Sequence, residues 1–293
     1  MGSAGENMKA IIPAAGMGLR FLPITKELPK EMIPVMEKPT IQYVVEEAIE
    51  AGIDDILIIT GRNKRAIVDH FDKSFEIEST LERTGKLDKL EEIRRISNMV
   101  DIHFIRQKEP RGLGDAILRG RKHVGDEPFA VMLGDTINVS QEPVIGQLMR
   151  VHDRTKRSVI AVEEVPREKI CDYGIIDGEW IDDRLMRIND LVEKPSLESA
   201  PSNIGITGRY VLTPDIFDSL EKTAPGKGNE IQLTDAIRSL NGSEETFAYR
   251  FEGRRYDIGD MMGWLKTIIE LGLNHPKYAS ELRELASNIL SKQ

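Results

Sequence analysis

Near the start of the chain, small residues and fixed cations stand side by side. A short apolar run, Ala10, Ile11 and Ile12, ends in Ala14-Ala15-Gly16-Met17-Gly18, and Arg20, Lys26 and Lys30 follow directly. Glycines let a backbone approach a ligand that any side chain would block, and consecutive N–H groups make an anion-binding concavity. Ala15, Gly16 and Gly18 are therefore candidate contacts to a phosphorylated ligand, with Arg20 and Lys30 as cations to offset its charge. The spacing supplies only the first two glycines of the dinucleotide fingerprint, with Phe21 where the third belongs. Pro23, Pro29 and Pro34 preclude the immediate helix of a Rossmann loop, and no Gly-Lys-Ser or Gly-Lys-Thr supports a Walker loop. What remains is a proline-stiffened loop whose three cations suit a triphosphate better than a dinucleotide.

Carboxylates come later. Leu133-Gly134-Asp135-Thr136 closes an apolar run with an acid at the strand tip, where Mg²⁺ takes one or two carboxylates plus phosphate oxygens and water. Gly134 is expected to leave room for the nucleotide, although an ordinary turn aspartate would read the same way. In Tyr256-Asp257-Ile258-Gly259-Asp260, Asp260 precedes a helical pattern and caps it, which leaves Asp257 as the candidate second metal ligand. Glu193-Lys194-Pro195 ends a strand with a pair able to hold sugar hydroxyls and a phosphate together, or to form a plain surface ion pair. Gln107 follows another strand, where an amide can read a base edge by donating and accepting. Gly112 and Gly114 either line that site or simply start the next helix. The five histidines show no metal-ligand spacing and no cysteine partner, which argues against zinc. No serine lies in a Gly-x-Ser-x-Gly elbow and Cys171 has no evident base, so the chemistry left is direct displacement at phosphorus.

These residues need a scaffold. The chain has 293 residues, 40% hydrophobic and 30% charged, enough for a sizeable core. A net charge of −9 excludes a duplex nucleic-acid surface, so any phosphate site is a local basic cluster in an acidic protein. A single cysteine, no bilayer-length apolar run and no secretory segment point to the cytoplasm and away from a membrane. Residues 1–7 read as a disordered leader. Strand patterns at 9–13, 55–60, 101–106 and 129–133 alternate with helical ones at 40–51, 64–71 and 114–123, the signature of an α/β sheet covered on both faces. Ile41, Val44, Val45, Ala48 and Ile49 form one apolar stripe. Residues 79–97 read as a charge-rich helical insertion without a clean apolar face. Beyond Ser158 the strands, at 159–165, 173–176, 185–193 and 207–212, look more antiparallel, and helices at 261–273 and 277–290 close the chain. No linker or repeat separates the halves, so one continuous mixed sheet is expected, with substrate across its strand C-terminal edges.

The stretch PAAGMGLRFLPITKELPKEMIP, the following KPTIQY, and RQKEPRGLGDAI, VEKP, SNIGITGRYVL and GNEIQLTDAI together resemble the bacterial and archaeal UTP-glucose-1-phosphate uridylyltransferases, over residues 8–273. The GxG loop and LGD element are shared by the wider sugar nucleotidyltransferases. TKELPKEM and NEIQLTDA belong to the uridylyltransferase branch. The resemblance implies a Rossmann-like nucleotidyltransferase fold with a central mixed, mostly parallel sheet flanked by helices. It implies UMP transfer from UTP to α-D-glucose 1-phosphate, with UDP-glucose and pyrophosphate as products. Ala15, Gly16, Gly18, Gln107 and Gly112 would hold the nucleotide; Arg20 and Lys30 the triphosphate; Asp135 and Asp257 Mg²⁺. Glu193 would take glucose hydroxyls and Lys194 the sugar phosphate, with Gly174 and Asn203 lining the sugar pocket. It also implies a homodimer or homotetramer, to which residues 274–293 would contribute beside a catalytic domain at 8–273. Gly134 departs from the proline common before the metal aspartate, and it leaves open dTTP, another sugar 1-phosphate, or a catalytically silent sugar-nucleotide sensor.

Overall fold

Hydrophobic alternation builds the sheet from its first strand. In β1 (Lys9–Ala14), Ala10, Ile12 and Ala14 point into one apolar cluster and Ile11 into another on the opposite face. The period of two in a strand requires this when both faces are covered. The computed structural model describes residues 8–291, so the expectation for residues 1–7 falls outside the described residues. In chain order the remaining strands are β2 (Pro34–Val35), β3 (Lys38–Pro39), β4 (Asp55–Thr60), β5 (Asp101–Arg106), β6 (Phe129–Met132), β7 (Thr136–Val139) and β8 (Val159–Glu164). They continue with β9 (Gly174–Trp180), β10 (Leu185–Glu193), β11 (Ile204–Leu212), β12 (Phe247–Arg250) and β13 (Arg254–Asp257).

Nine of these, among the described residues, make one sheet in the order β5-β4-β1-β6-β11-β8-β12-β10-β9, with β9 also touching β11. Only β10 and β11 run against the rest, so the sheet is mixed and mostly parallel, as expected, and it crosses both halves of the chain. One face is covered by helices Thr40–Glu50, Arg65–Phe71 and Val144–Thr155, the other by Leu113–Leu118, Ile216–Lys222 and Leu233–Asn241. The single helix expected over 114–123 is two, Leu113–Leu118 and Arg121–Val124. A side chain at Gly120 would meet Ile11 Cδ1 at 2.4 Å, so the break sits where the backbone lies on the sheet. The insertion at 79–97 is a pair of helices, Phe75–Arg83 and Leu87–Ser97, turned at Gly85 with φ +67°.

The prolines act as expected after β1: the chain runs through short 3₁₀ turns at Leu19–Phe21, Ile24–Lys26 and Lys30–Met32. The far wall of the cleft is a two-stranded ribbon in which β7 pairs antiparallel with β13, Thr136 opposite Asp257. Arg209 of β11, with no exposed surface, holds this region together. Its Nη1 donates to Leu133 O at 3.2 Å and its Nη2 to Thr136 O at 2.8 Å, on either side of Gly134-Asp135. Glu47, also buried, accepts from Arg209 Nη2 at 2.7 Å and from Ile145 N at 3.2 Å. Removing one partner of a buried ion pair strands the other charge. Arg209→Met is therefore expected to lower the unfolding free energy by about 3–5 kcal/mol, read from urea denaturation; an unchanged midpoint would show that the pair does not hold the turn.

Candidate active site

Six of the residues singled out in the sequence line one cavity of about 300 Å³ at the carboxyl ends of β1, β5 and β6: Ala15, Gly16, Lys30, Gln107, Gly112 and Asp135. At its floor Lys30 Nζ lies 2.6 Å from Asp135 Oδ2. Burial acts against the Asp135 charge, but the Lys30 ammonium outweighs it and holds the carboxyl below its ordinary 3.8. Burial likewise acts against Lys30, and Asp135 and Glu31 together keep its pKa above 10.5. Both groups are thus charged at neutral pH. A second cavity, about 460 Å³, shares Ala15, Gly16 and Gln107 and adds Lys26, Arg62, Lys64 and Lys108.

Gln107 has a defined orientation. Its Nε2 donates to Asp115 Oδ2 at 2.7 Å and to Gly112 O at 3.2 Å. A carboxylate only accepts, so the amide nitrogen must face inward and Oε1 is the atom left for a ligand. Gly112, at φ +104°, leaves no space for a side chain: a Cβ would lie 2.7 Å from Glu230 Cβ and 2.8 Å from Ile231 O. The segment around Glu230 closes on the cavity through Ile231 N donating to Arg111 O at 2.8 Å. Gly18, at φ +68°, turns the loop in the left-handed region but does not line the cavity. Gly134 has a neighbour that the sequence did not indicate. A Cβ there would approach Glu31 Cγ at 3.2 Å, so the missing side chain makes room for Glu31.

Asp257 stands one strand away, opposite Thr136, and Asp135 O accepts from Ile258 N at 3.2 Å. Its carboxylate is held from three sides: Tyr173 OH at 2.6 Å and Arg255 Nη1 at 3.1 Å on Oδ2, and Gly259 N at 2.9 Å on Oδ1. Arg255 is itself anchored to Glu163. Arg20 lies outside the cavity with its guanidinium against Gly259, where a Cβ would meet both terminal nitrogens at 3.6 Å. Asp260 caps helix Met261–Asn274 through Gly263 N at 2.8 Å, as expected.

The sugar candidates form a second group. Gly174 opens β9 directly opposite Glu193, the last residue of β10. Glu193 Oε2 accepts from Thr234 Oγ1 at 2.7 Å, and Lys194 Nζ lies 3.1 Å from Glu193 Oε1. Lys194 takes φ +44° and its N–H donates to Tyr173 O at 3.0 Å, so the residue that follows Glu193 is turned by the backbone of the chain that also bears Tyr173. Asn203 is exposed just before β11, where its O accepts from Val165 N at 2.9 Å. Tyr173 links the groups, since it reaches Asp257 by its hydroxyl and Lys194 by its carbonyl.

Several participants were not singled out in the sequence. Glu31 is buried directly behind Lys30, with Oε2 at 2.8 Å from Lys64 Nζ and Oε1 without a partner among the described residues. Burial pushes its carboxyl up. An acid beside the phosphate-loop lysine was the available signal, and for Arg209 the signal was the one charge inside IGITGRYVL. Tyr173 and Arg255 left none, because their meeting with Asp257 depends on how β7, β9 and β13 assemble.

Could these carboxylates hold a divalent metal? Asp135 offers Oδ1, which bonds no neighbouring side chain, and Asp257 keeps a lone pair on Oδ1 beyond the contacts named, its Oδ2 being taken by Tyr173 and Arg255, so the donor set suits a hard cation. A glycine loop over a paired lysine and aspartate, with a second acid on the adjoining ribbon, defines a nucleotide-handling transferase. The chain belongs to the nucleotidyl transferase family, whose model matches residues 9–271. It is 51% identical over 285 residues, 97% of this chain and 98% of the relative, to the UTP-glucose-1-phosphate uridylyltransferase of Bacillus subtilis (strain 168). It is 54% identical to that of Staphylococcus haemolyticus (strain JCSC1435), over 94% of this chain and 95% of the relative. Among solved structures it is similar to a UDP-glucose pyrophosphorylase complexed with UDP-glucose, with TM-score 0.82 and 46% identity over 89% of this chain and 97% of that one. It is also similar to the UTP-bound enzyme from Acinetobacter baumannii, with TM-score 0.88 and 39% identity over 95% and 98%.

The Lys30–Asp135 pair makes stability pH-dependent with a defined sign. The lowered Asp135 pKa contributes stability that is complete above the unfolded carboxyl's value and lost as pH falls through the folded one. The raised Lys30 pKa contributes below 10.5, and that part is lost as pH rises through its folded value. Lys30→Met is expected to flatten or reverse the loss of unfolding free energy between about pH 4 and pH 2. Urea titrations at several pH values read this directly, and parallel curves for the two proteins would refute it.

Proposed function

We propose that this enzyme transfers the uridylyl group of UTP to α-D-glucose 1-phosphate, forming UDP-glucose and pyrophosphate. The observation that carries the reading is the Lys30–Asp135 pair at the floor of the glycine-loop cavity, beside the ribbon bearing Asp257. An oxygen of the sugar phosphate attacks the α-phosphorus of UTP in line. The bond from that phosphorus to the β-phosphate bridging oxygen breaks, and pyrophosphate leaves with the electron pair. The attacking group is already anionic, so no general base is needed, and the principal obstacle is repulsion between negative groups.

Lys30 and Arg20 offset the triphosphate charge, and Lys194 does so for the sugar phosphate. Ala15 and Gly16 present backbone to the nucleotide and Gly18 shapes their loop. Gln107 offers Oε1 as an acceptor, matching the N3–H of uracil or thymine and mismatched to cytosine, while Gly112 keeps that wall flat. Glu193, held by Thr234, receives glucose hydroxyls beside Gly174 and Asn203. Asp135 and Asp257 would hold Mg²⁺, which supplies charge neutralisation of the phosphates. The catalytic unit spans 8–273, and no described helix is long and apolar enough to cross a membrane. We read the enzyme as cytoplasmic.

Pyrophosphate release from UTP, dTTP, CTP, ATP and GTP against several sugar 1-phosphates tests the reading. Release is expected to favour UTP with glucose 1-phosphate, to stop with EDTA, and to fall by roughly 10²–10³ in Asp135→Asn. Preference for another pair would change the substrate, and full turnover in Asp135→Asn would remove the mechanism.

A separate surface supports an assembly of copies. Met262, Leu265 and Ile269 of helix Met261–Asn274, and Leu285, Ile289 and Leu290 of helix Ala279–Leu290, are exposed. Such an apolar face suits a second copy of the chain in a homodimer or homotetramer, with 274–293 as a contact element. Light scattering is expected to give a multiple of the 33.0 kDa chain mass and to return that mass itself for Leu265→Asp/Ile269→Asp. A wild-type chain that scatters as 33.0 kDa would rule the assembly out.

A further inference from the structure

At the end of the sheet away from the cleft, three potential metal ligands from separate elements converge. Asp55 is the first residue of β4, whose far end, at Thr60, precedes Gly61 of the cleft wall. Five residue steps separate those ends, roughly 17 Å of extended chain. His103 is the third residue of β5 and pairs in register with Leu57, which puts it on the same side of the sheet as Asp55. His123 lies in helix Arg121–Val124. Nε2 of His123 is 2.7 Å from Asp55 Oδ1, and Nε2 of His103 is 3.8 Å from the same oxygen. One ligand atom from each residue lies within 4.8 Å of the others.

A hydrogen bond between His123 and Asp55 accounts for one imidazole. It does not account for His103, half-exposed, whose ring stands 4.8 Å from that of His123 and whose Nε2 is turned to the same oxygen. Lys9, the lysine or arginine that reaches Asp55 among the described residues, does not fill the place. Lys9 Nζ lies on the other carboxylate oxygen, 3.9 Å from Oδ2, and donates to His123 O at 2.7 Å. Lys9 thus fixes the His123 backbone and the outward oxygen, while Oδ1 and two imidazole nitrogens face one another.

We propose that Asp55, His103 and His123 bind a divalent transition metal of the zinc class, a site separate from the cleft and from the Mg²⁺ ligands there. Two imidazoles and one carboxylate are nitrogen-rich, which favours zinc, cobalt or nickel over the hard cations that all-oxygen sites prefer. Tetrahedral ligation with bonds of about 2.0–2.2 Å sets donor atoms about 3.3–3.6 Å apart, so His123 and Asp55 open slightly from their 2.7 Å hydrogen bond while rotation of His103 closes its 3.8 Å gap. Neutral imidazoles are required, so the metal takes the place of the proton between His123 and Asp55. Bound there, it ties β4, β5 and the helix before β6 together.

The test uses the full chain without a polyhistidine tag. Co²⁺ is added and its visible absorption followed, with Zn²⁺ as competitor, for the wild type, His103→Ala and Asp135→Asn. One equivalent is expected to bind in the wild type and in Asp135→Asn, with affinity at least tenfold weaker in His103→Ala. Zn²⁺ is expected to raise the melting temperature in the same pattern. Mg²⁺-dependent pyrophosphate release should be the same in His103→Ala and wild type, which separates this site from the activity. Binding that survives His103→Ala but is lost in Asp135→Asn would assign the metal to the cleft and overturn the proposal. So would the absence of binding below about 100 µM, a ligation too weak for two imidazoles and a carboxylate.

Discussion

The buried contact between Arg209 and Glu47 is the constraint from which the cleft takes its shape. A guanidinium with no access to water must satisfy its donors inside the protein, and here it does so on Glu47 and on backbone carbonyls at both sides of Asp135. Glu47 in turn reaches the helix at 144–155 through Ile145 N. The turn bearing the candidate metal ligand is thereby fixed to β11, to helix Thr40–Glu50 and to helix Val144–Thr155 at once. The planar fork of arginine suits this role, whereas a lysine would offer one point of attachment.

Around that anchor, charges are arranged in opposed pairs at graded depth. Glu31 and Lys64 are buried, Lys30 and Asp135 partly exposed, and Lys194 is more exposed still, above a Glu193 that is largely covered. The order suits a site that must receive several negative groups without collapsing when empty. Lys30, Lys64 and Lys194 are each held by a carboxylate. Tyr173 and Arg255 act on the other acid, occupying one oxygen of Asp257 and so fixing which lone pairs remain available.

The sheet was legible where alternation was strong, and β4, β5 and β10 fall where their apolar patterns put them. Helix Thr40–Glu50 was equally plain from its stripe. The ribbon of β7 and β13 was not, because four-residue strands carry too little pattern and their pairing is long-range. Helices Val144–Thr155 and Leu233–Asn241 were passed over although both have a periodic apolar face. In the site, types and spacing found Lys30, Asp135 and Gln107, and the cavity joins them. They did not show that Gly134 also makes room for Glu31, since the space beside a glycine depends on a neighbour elsewhere in the chain. The histidines show the same limit: residues without useful spacing in sequence meet through strand register.

The segment from Lys227 to Ile231 touches both ligand regions. Its Glu230–Ile231 backbone presses on Gly112, and Lys227 Nζ donates to Lys194 O at 2.8 Å. A single stretch of chain therefore packs against Gly112 in the cavity wall and against the backbone of Lys194. On the proposed assignment of these two places to the nucleotide and the sugar phosphate, a ligand that shifts one end of the segment shifts the other, which couples the two affinities. By linkage, each must alter the other's binding to the same degree.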